Sequence, residues 1–197
     1  KGIDAKVVDI LTEENGGKVG TQGGRIFYYG SKKNWWSRAG IPSNMPIGEP
    51  GGPDSEIFYE FSKVEHNKKF GEHCHPNCDC GRYLEIGNNV FMEYKKFGED
   101  QFIKLPKRNV DFGGGLERIT AILDDEPDVF KVDVLQALVI EIEKITSLKY
   151  SEVDKEIRTK IRIIVDHIRV AVFMLADGIL PSNKERGYIL RRFIRRA

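Results

Sequence analysis

The stretch N-V-D-F-G-G-G-L-E-R-I-T-A-I-L-D, residues 109–124, determines how the rest of the chain is interpreted. Three successive glycines at 113–115 carry no Cβ, so a ligand or a second backbone can contact the main chain directly. Apolar residues then recur at helical spacing, which predicts an amphipathic helix just after the glycines. Arg118 falls in its first turn, where a guanidinium can contact a phosphate or stack on a purine. The stretch predicts a nucleotide site; the plainer alternative is a glycine turn before a surface helix.

Three blocks of the sequence resemble one protein family, in that family's order. G-G-G-L-E-R-I at 113–119 resembles motif 3 of class II aminoacyl-tRNA synthetases, and V-D-F-G-G-G-L-E-R at 110–118 is most similar to the form found in alanyl-tRNA synthetases. E-I-G-N-N-V-F-M-E-Y at 85–94 is similar to the strand before motif 3, and residues 177–197 are similar to a block of the helical tRNA-binding region. N-W-W at 34–36 and G-G-P-D-S-E-I-F-Y at 51–59 extend the resemblance over most of the chain.

The resemblance and the apolar pattern predict an α+β fold in two domains. Residues 1–126 are expected to form part of a class II catalytic domain, an antiparallel sheet flanked by helices. Residues 127–197 are expected to begin an all-helical tRNA-recognition domain, with helices starting at the capping-box patterns of Ser151 and Ser182. The predicted strands are 25–29, 57–61, 82–87, 89–94 and 102–105.

The resemblance implies an enzyme that activates alanine with ATP and Mg²⁺ and transfers it to the 3′ end of alanine tRNA. The implied catalytic residues are Asp111, whose carboxylate can hold the α-ammonium group, and Arg118, whose guanidinium can bind ATP phosphate. The implied alanine pocket consists of Trp36, Val90, Asp111 and Gly113. The implied ATP-binding residues are Glu85, Asn88, Gly115 and Arg118.

Some positions depart from the family's pattern. Gly87 stands where the family's strand carries Trp, which leaves the local packing open. The proline-rich loop at 41–53 resembles the family's G-P-C-G-P-C-S-E-I loop but lacks both cysteines. Glu56, at the start of the following strand, is predicted to be an exposed carboxylate, with contact to Mg²⁺ or the ribose as the alternative.

The C-terminal part of the chain is strongly basic. Residues 158–197 carry ten Lys/Arg against three Asp/Glu, although the net charge of the whole chain is only +1. Such one-signed charge favours contact with RNA phosphate over a merely solvated helix face. The resemblance implies that Asn183 reads the G·U pair of alanine tRNA in the minor groove, while Arg192, Arg195 and Arg196 hold phosphates. The alternative is that Asn183 is an exposed first-turn residue with no contact to RNA.

The most unusual local composition is F-G-E-H-C-H-P-N-C-D-C at 70–80. Cys74, Cys78 and Cys80, with His73 or His75, would complete the ligand count of a structural zinc site. One short loop would then have to wrap the ion without a second pair of ligands downstream. The spacing therefore favours free thiols, and no metal ligand is assigned.

No run of about 18 apolar residues and no basic-then-apolar leader occurs in the sequence. These features predict a cytoplasmic protein without a membrane partner, and they do not set its oligomeric state. The missing initiator methionine and an end within a helical pattern predict a fragment of a longer protein. Because counterparts of motifs 1 and 2 and of an editing domain are missing, the fragment alone is expected to be inactive.

Two other functions stay open at this point. One is a non-catalytic tRNA-binding paralogue of the same fold, although an alanine pocket with Asp111 and Trp36 would serve no purpose there. The other is a metal-binding interaction module built on the cysteine loop at 74–80, which metal analysis would decide.

Overall fold

The computed structural model describes residues 25–197, in which one antiparallel sheet is followed by helices. Its five strands are β1 (Trp36–Ser37), β2 (Pro50–Gly52), β3 (Asp54–Glu60), β4 (Tyr83–Gly98) and β5 (Gln101–Gly114). The long strand β4 lies in the middle. It pairs with β2 and β3 along one edge and with β5 along the other, while β1 pairs with β2.

Four α-helices follow the sheet: α1 (Leu116–Leu123), α2 (Asp133–Thr146), α3 (Lys155–Ala176) and α4 (Glu185–Arg196). The chain divides into two compact units, one ending at Pro127 and the other running from Asp128 to Ala197. The predicted α+β class with an antiparallel sheet and following helices is confirmed. Residues 1–24 of the predicted first domain lie outside the described residues.

Four of the five predicted strands differ from the structure. Residues 25–29 form no strand, because their backbone is not paired with any of the five strands, although their side chains lie close to β3. The two predicted strands at 82–87 and 89–94 are one continuous strand, β4. The short piece at 102–105 belongs to β5, which continues to Gly114. Pairing on both edges of β4 overrides the weak strand propensity of its glycine and asparagines.

The pairing register determines which side chains share a face of the sheet. Val90 of β4 lies opposite Asp54 of β3 and opposite Asp111 of β5. In the next row, Asn88 lies opposite Glu56 and Gly113. Directly paired residues point to the same side of a sheet, so these two rows share one face, called here the cleft face.

A β-bulge adds Glu85 to the cleft face. The register shifts between Ile57 and Phe58, so that Phe58 lies opposite Glu85 instead of Ile86. Since Phe58 is two residues beyond Glu56 on the same strand, its partner Glu85 joins the same face. Three carboxylates, those of Asp54, Glu56 and Glu85, are thereby brought to one side of the sheet.

The second unit consists of α2, α3 and α4. Its buried residues include Leu135, Val139, Ile142, Ile161, Val165 and Leu190. A polar cluster links its start to α3: the Asp128 carboxylate accepts hydrogen bonds from the Tyr150 hydroxyl and from Arg162, both at 2.8 Å. Despite burial, these hydrogen bonds lower the pKa of Asp128. The cluster fixes residue 128 against the helical unit.

Both predicted helix starts in this unit were wrong. Helix α3 begins at Lys155, because the side chain of Asp154 caps it by accepting from the Ile157 amide at 2.9 Å. Residues 151–153 instead form a turn whose carbonyls at Ser151 and Val153 accept from Arg158. Helix α4 begins at Glu185, whose φ of +48° prevents the helix from extending further back.

Candidate active site

A cavity of about 440 Å³ lies over the cleft face of the first unit. Six of the residues predicted for alanine or ATP line it, namely Trp36, Glu85, Asn88, Gly113, Gly115 and Arg118. Val90 and Asp111 are not in its lining, although both belong to the adjacent row of the same face. A second cavity, of about 500 Å³, shares Asp54 and Glu56 with the first and reaches residues 25–29 and Pro76.

The three glycines have different roles. A Cβ placed on Gly113 would meet nothing within 4 Å, so this backbone is open to the cavity. A Cβ on Gly114 would lie 3.1 Å from the ring of Phe112, and one on Gly115 would lie 3.0 Å from the side chain of Arg118. All three glycines line the cavity, but only at Gly113 would an added side chain meet open space, whereas at Gly114 and Gly115 it would be crowded by Phe112 and Arg118.

Arg118 lies in the first turn of α1, directly after the glycines. Its Nη1 donates to the Glu85 carboxylate at 2.9 Å and to the Glu85 backbone carbonyl at 3.0 Å. The two side chains are 44% and 33% exposed, so this ion pair contributes about 1 kcal/mol or less to stability. Both hydrogen bonds use Nη1. No group among the described residues accepts from Nε or Nη2, so these two nitrogens can bind an anion.

Glu56 is half-buried, so the predicted exposed carboxylate was wrong. Burial, together with the nearby carboxylates of Glu85 and Asp54, raises the pKa of Glu56 to about 7, against the opposing effect of Lys33. Burial also raises the pKa of Asp54. The sequence could not show this, because the three carboxylates become neighbours only through the register and the bulge of β4.

Two buried oxygens at the cleft face are unsatisfied. Asp54 Oδ2 accepts from Asn88 Nδ2 at 2.9 Å, but Asp54 Oδ1 and Asn88 Oδ1 have no hydrogen-bond partner among residues 25–197. Buried acceptors without partners are costly, and carboxylate and amide oxygens suit Mg²⁺ or an ammonium group. Asp54, Glu56 and Asn88 therefore fit a cation bound beside the cavity.

Asp111 and Trp36 lie at the edges of the cleft face. Asp111 is exposed, and its Oδ1 accepts from the amide of Phe112 at 3.0 Å. Trp36 is 43% exposed and lies opposite Gly52 across the β1–β2 pair. A Cβ on Gly52 would be 1.7 Å from the backbone oxygen of Phe91, so only glycine lets β2 approach β4 here. Gly52 thus fixes the position of the strand that neighbours Trp36.

The predicted tRNA-binding residues belong to the second unit, Asp128–Ala197. Asn183 is exposed and lies two residues before α4, and its Oδ1 accepts a hydrogen bond from Arg191 Nη1. The other three predicted residues, Arg192, Arg195 and Arg196, are exposed on α4. Sequence analysis missed Arg191, which lies one position before the predicted arginine series.

Comparison with known proteins gives matches that run across both units of the chain. The family described as tRNA synthetases class II (A) matches residues 14–197, which includes nearly all of the chain. The chain belongs to this class II family. The resemblance inferred from motif 3 and its neighbouring blocks is confirmed.

Several individual proteins similar to this chain are alanine–tRNA ligases. The alanine–tRNA ligase of Treponema denticola is 42% identical over 183 residues, covering 91% of this class II chain and 28% of the relative. Alanine–tRNA ligases of Petrotoga mobilis and Natranaerobius thermophilus are 40% and 35% identical, over 88% and 98% of the chain. The chain spans only 19% and 20% of those two relatives.

The structure explains the unusual glycine of this class II chain. A Cβ on Gly87 would lie 2.9 Å from the ring of Phe112, on the side of the sheet away from the cavity. Phe112 therefore occupies the space beside position 87.

None of the helices within residues 25–197 combines the length and the apolarity needed to span a bilayer.

Sequence analysis missed other residues near the site. Asp54 lines both cavities, and its only sequence signal is its position two residues before Glu56 on a strand. Lys33 lines the smaller cavity from the preceding turn. His66 lies with the three cysteines, although neither His73 nor His75 does.

Proposed function

We propose that this chain is part of an alanine–tRNA ligase and carries the motif 3 side of its adenylate-forming site. The observation that carries the proposal is the cleft face, where Gly113, Arg118 and Trp36 line one cavity beside the row that contains Asp111. Residues 1–126 would be the partial catalytic domain, and residues 127–197 would begin tRNA recognition. The family membership and the names of the relatives support this assignment.

ATP would bind between the glycines and β4. Arg118, at the start of α1, would hold phosphate as negative charge builds on the leaving pyrophosphate. Glu85 keeps the guanidinium in place before ATP arrives, and Asn88 and Gly115 lie in the same cavity. Asp54 and Glu56 would hold Mg²⁺, which neutralises phosphate charge when bound.

Alanine would bind toward the next row of the cleft face. The Asp111 carboxylate would hold the α-ammonium by a charge-assisted hydrogen bond. Trp36, Val90 and Gly113 would bound the space for the methyl group. A pocket of this kind separates substrates that differ by one methylene by only about 1–3 kcal/mol, so editing elsewhere in the protein would be needed to reject glycine and serine.

The basic second unit would contact alanine tRNA. Its exposed arginines on α4 supply positive charge for phosphates, and Asn183 offers a short amide close to them. A ligase of this kind would act in the cytoplasm.

The Asp111→Asn variant of the full-length protein tests the proposal by ATP–pyrophosphate exchange. Loss of the countercharge should raise the KM for alanine by about 10- to 100-fold, the equivalent of a hydrogen bond to a charged group, with little change for ATP. Asp124→Asn, at an exposed carboxylate after α1, is the matched control and should change neither constant.

An equal rise in the KM for alanine and in the KM for ATP in the Asp111→Asn variant would contradict the role of Asp111. A full-length protein that binds tRNA but supports no exchange in its unaltered form would instead favour the non-catalytic paralogue.

A further inference from the structure

The connection between β3 and β4, residues 61–82, is long and has little regular structure. It contains a single 3₁₀ turn, Lys68–Phe70, and only Phe61 and Cys78 are buried in it. Apolar packing therefore contributes little to its conformation. Loops of this length within compact domains usually depend on some other constraint or carry a function.

Four ligand-type side chains converge inside this connection. One ring nitrogen of His66 and the sulfurs of Cys74, Cys78 and Cys80 all lie within 4.8 Å of one another. The Cys74 and Cys80 sulfurs are 3.5 Å apart, and the Cys78 sulfur is 3.7 Å from His66 Nδ1. In tetrahedral zinc sites, metal–sulfur bonds of about 2.3 Å and metal–nitrogen bonds of about 2.0 Å separate the ligand atoms by about 3.5–3.8 Å. The Cys74–Cys80 and Cys78–His66 separations are close to those of such a tetrahedron, and the remaining ligand atoms lie within 4.8 Å of one another.

The orientation of His66 also suits a metal ligand. Its Nε2 lies 2.8 Å from the backbone carbonyl oxygen of Gly71. A carbonyl can only accept, so Nε2 carries the proton, and in the neutral ring Nδ1 presents its lone pair toward the cysteines. Zinc-binding histidines are commonly held in this way, with the second ring nitrogen donating to a carbonyl.

We propose that His66, Cys74, Cys78 and Cys80 bind one Zn²⁺ as a structural site. Three thiolates and one imidazole are a known donor set for structural zinc, and soft sulfur ligands disfavour Mg²⁺ and Ca²⁺. Four protein ligands leave no open position for a substrate, so the ion would stabilise the fold without entering the reaction. The sequence argument against zinc did not consider His66, because this residue lies eight positions before Cys74.

The two histidines that the sequence suggested lie elsewhere. His73 is exposed, and His75 Nδ1 lies 2.9 Å from the Tyr29 hydroxyl. Pro76, between Cys74 and Cys78, lines the larger cavity. At the base of the loop, Arg82 pairs with Glu60 at 2.7 Å. Zinc would thus hold the segment that forms one wall of the cavity, while the strand pairing below it is independent of the metal.

Metal analysis of the full-length protein tests this site directly. The unaltered protein, purified without chelator, should contain one more equivalent of zinc per chain than the Cys78→Ser/Cys80→Ser variant. The His66→Ala variant should bind zinc at least tenfold more weakly in competition with a chromophoric chelator. His73→Ala changes the same residue type in the same loop and should match the unaltered protein in both measurements.

A measurement on the unaltered protein covers the case in which the variants fail to fold. Replacing zinc by Co²⁺ should produce the visible absorption of a tetrahedral cobalt–thiolate complex and protect three thiols from a thiol reagent. Equal zinc content in the unaltered and double-cysteine proteins would overturn the proposal. So would equal weakening by His66→Ala and His73→Ala, or a Co²⁺ spectrum without thiolate bands.

Discussion

Glu56 lies on the cleft face between the carboxylates of Asp54 and Glu85, with Lys33 on the same cavity. Burial and these negative neighbours raise its pKa to about 7, so near neutral pH it is partly protonated. A bound cation would favour the ionised form. Binding of Mg²⁺ or an ammonium group beside Glu56 would therefore displace the proton from its carboxyl group.

The Glu56→Gln variant removes the cost of burying this charge beside two other carboxylates, so it should be more stable than the unaltered protein at high pH. The folded pKa of about 7 lies above the ordinary 4.5, so the folded state binds the proton more tightly and loses stability as pH rises between these values. The glutamine has no such loss. We expect the variant to be more stable by about 1 kcal/mol at pH 8, a value discounted for solvent screening at a half-buried site, and the gain to disappear below about pH 4.5.

Urea unfolding at several pH values measures the difference. Glu99→Gln, in the exposed turn between β4 and β5, is the control and should leave stability unchanged at every pH. A Glu56→Gln gain that is the same at pH 5 and pH 8, or a loss at pH 8, would contradict the assignment.

At the scale of elements, β4 organises the first unit because it is paired along both edges. On one edge, β2 approaches it so closely that a Cβ on Gly52 would lie 1.7 Å from the Phe91 backbone oxygen. On the other edge, β5 brings Gly113 to the cavity, where its missing side chain leaves open space. Two glycines in the same sheet thus have different surroundings: Gly52 permits close strand packing, and Gly113 faces the open cavity.

Alanine substitutions at these glycines should separate the two purposes. Gly52→Ala would force the backbones of β2 and β4 apart and should lower the free energy of unfolding by about 3 kcal/mol or more. Gly113→Ala places its methyl in open space and should change stability by less than about 0.5 kcal/mol, the range for substitutions that disturb no packing. In the full-length protein it should instead raise the KM for alanine. Urea denaturation and ATP–pyrophosphate exchange check the two effects, and similar stability losses in both variants would contradict the distinction.

At the scale of the whole molecule, local patterns predicted the class of the fold and failed where distant segments meet. The glycine run and the helix after it were predictable because their signals lie within 16 residues of sequence. The burial of Glu56 was not, since it depends on the register of β3 against β4. His66 was missed because no motif links it to Cys74. The start of α4 was misplaced because Ser182 and Glu185 resemble a capping box, whereas the backbone of Glu185 adopts a left-handed conformation.

In the basic second unit, we expect one residue to read a base pair and others to hold phosphates. Asn183 lies before α4, and Arg191 donates to its Oδ1, which leaves the amide NH₂ group for an RNA base edge. Arg195 and Arg196 are exposed at the end of the helix, and we expect them to contact RNA phosphates without reading the bases. The two kinds of residue should therefore respond differently to a change of tRNA sequence and of salt.

In the full-length protein, Asn183→Ala should reduce aminoacylation of alanine tRNA that carries the G·U pair by about 10- to 100-fold, the equivalent of about 1–3 kcal/mol of base discrimination. Alanine activation and affinity for a G·C variant tRNA should stay nearly unchanged. Arg195→Ala with Arg196→Ala should weaken both tRNAs alike and reduce the slope of log affinity against log salt by about 1–2, because up to two phosphate contacts are lost. Charging assays on the two tRNAs and binding at several salt concentrations measure these effects. If Asn183→Ala lowers charging of both tRNAs by the same factor, Asn183 does not read the base pair and is an exposed loop residue held by Arg191.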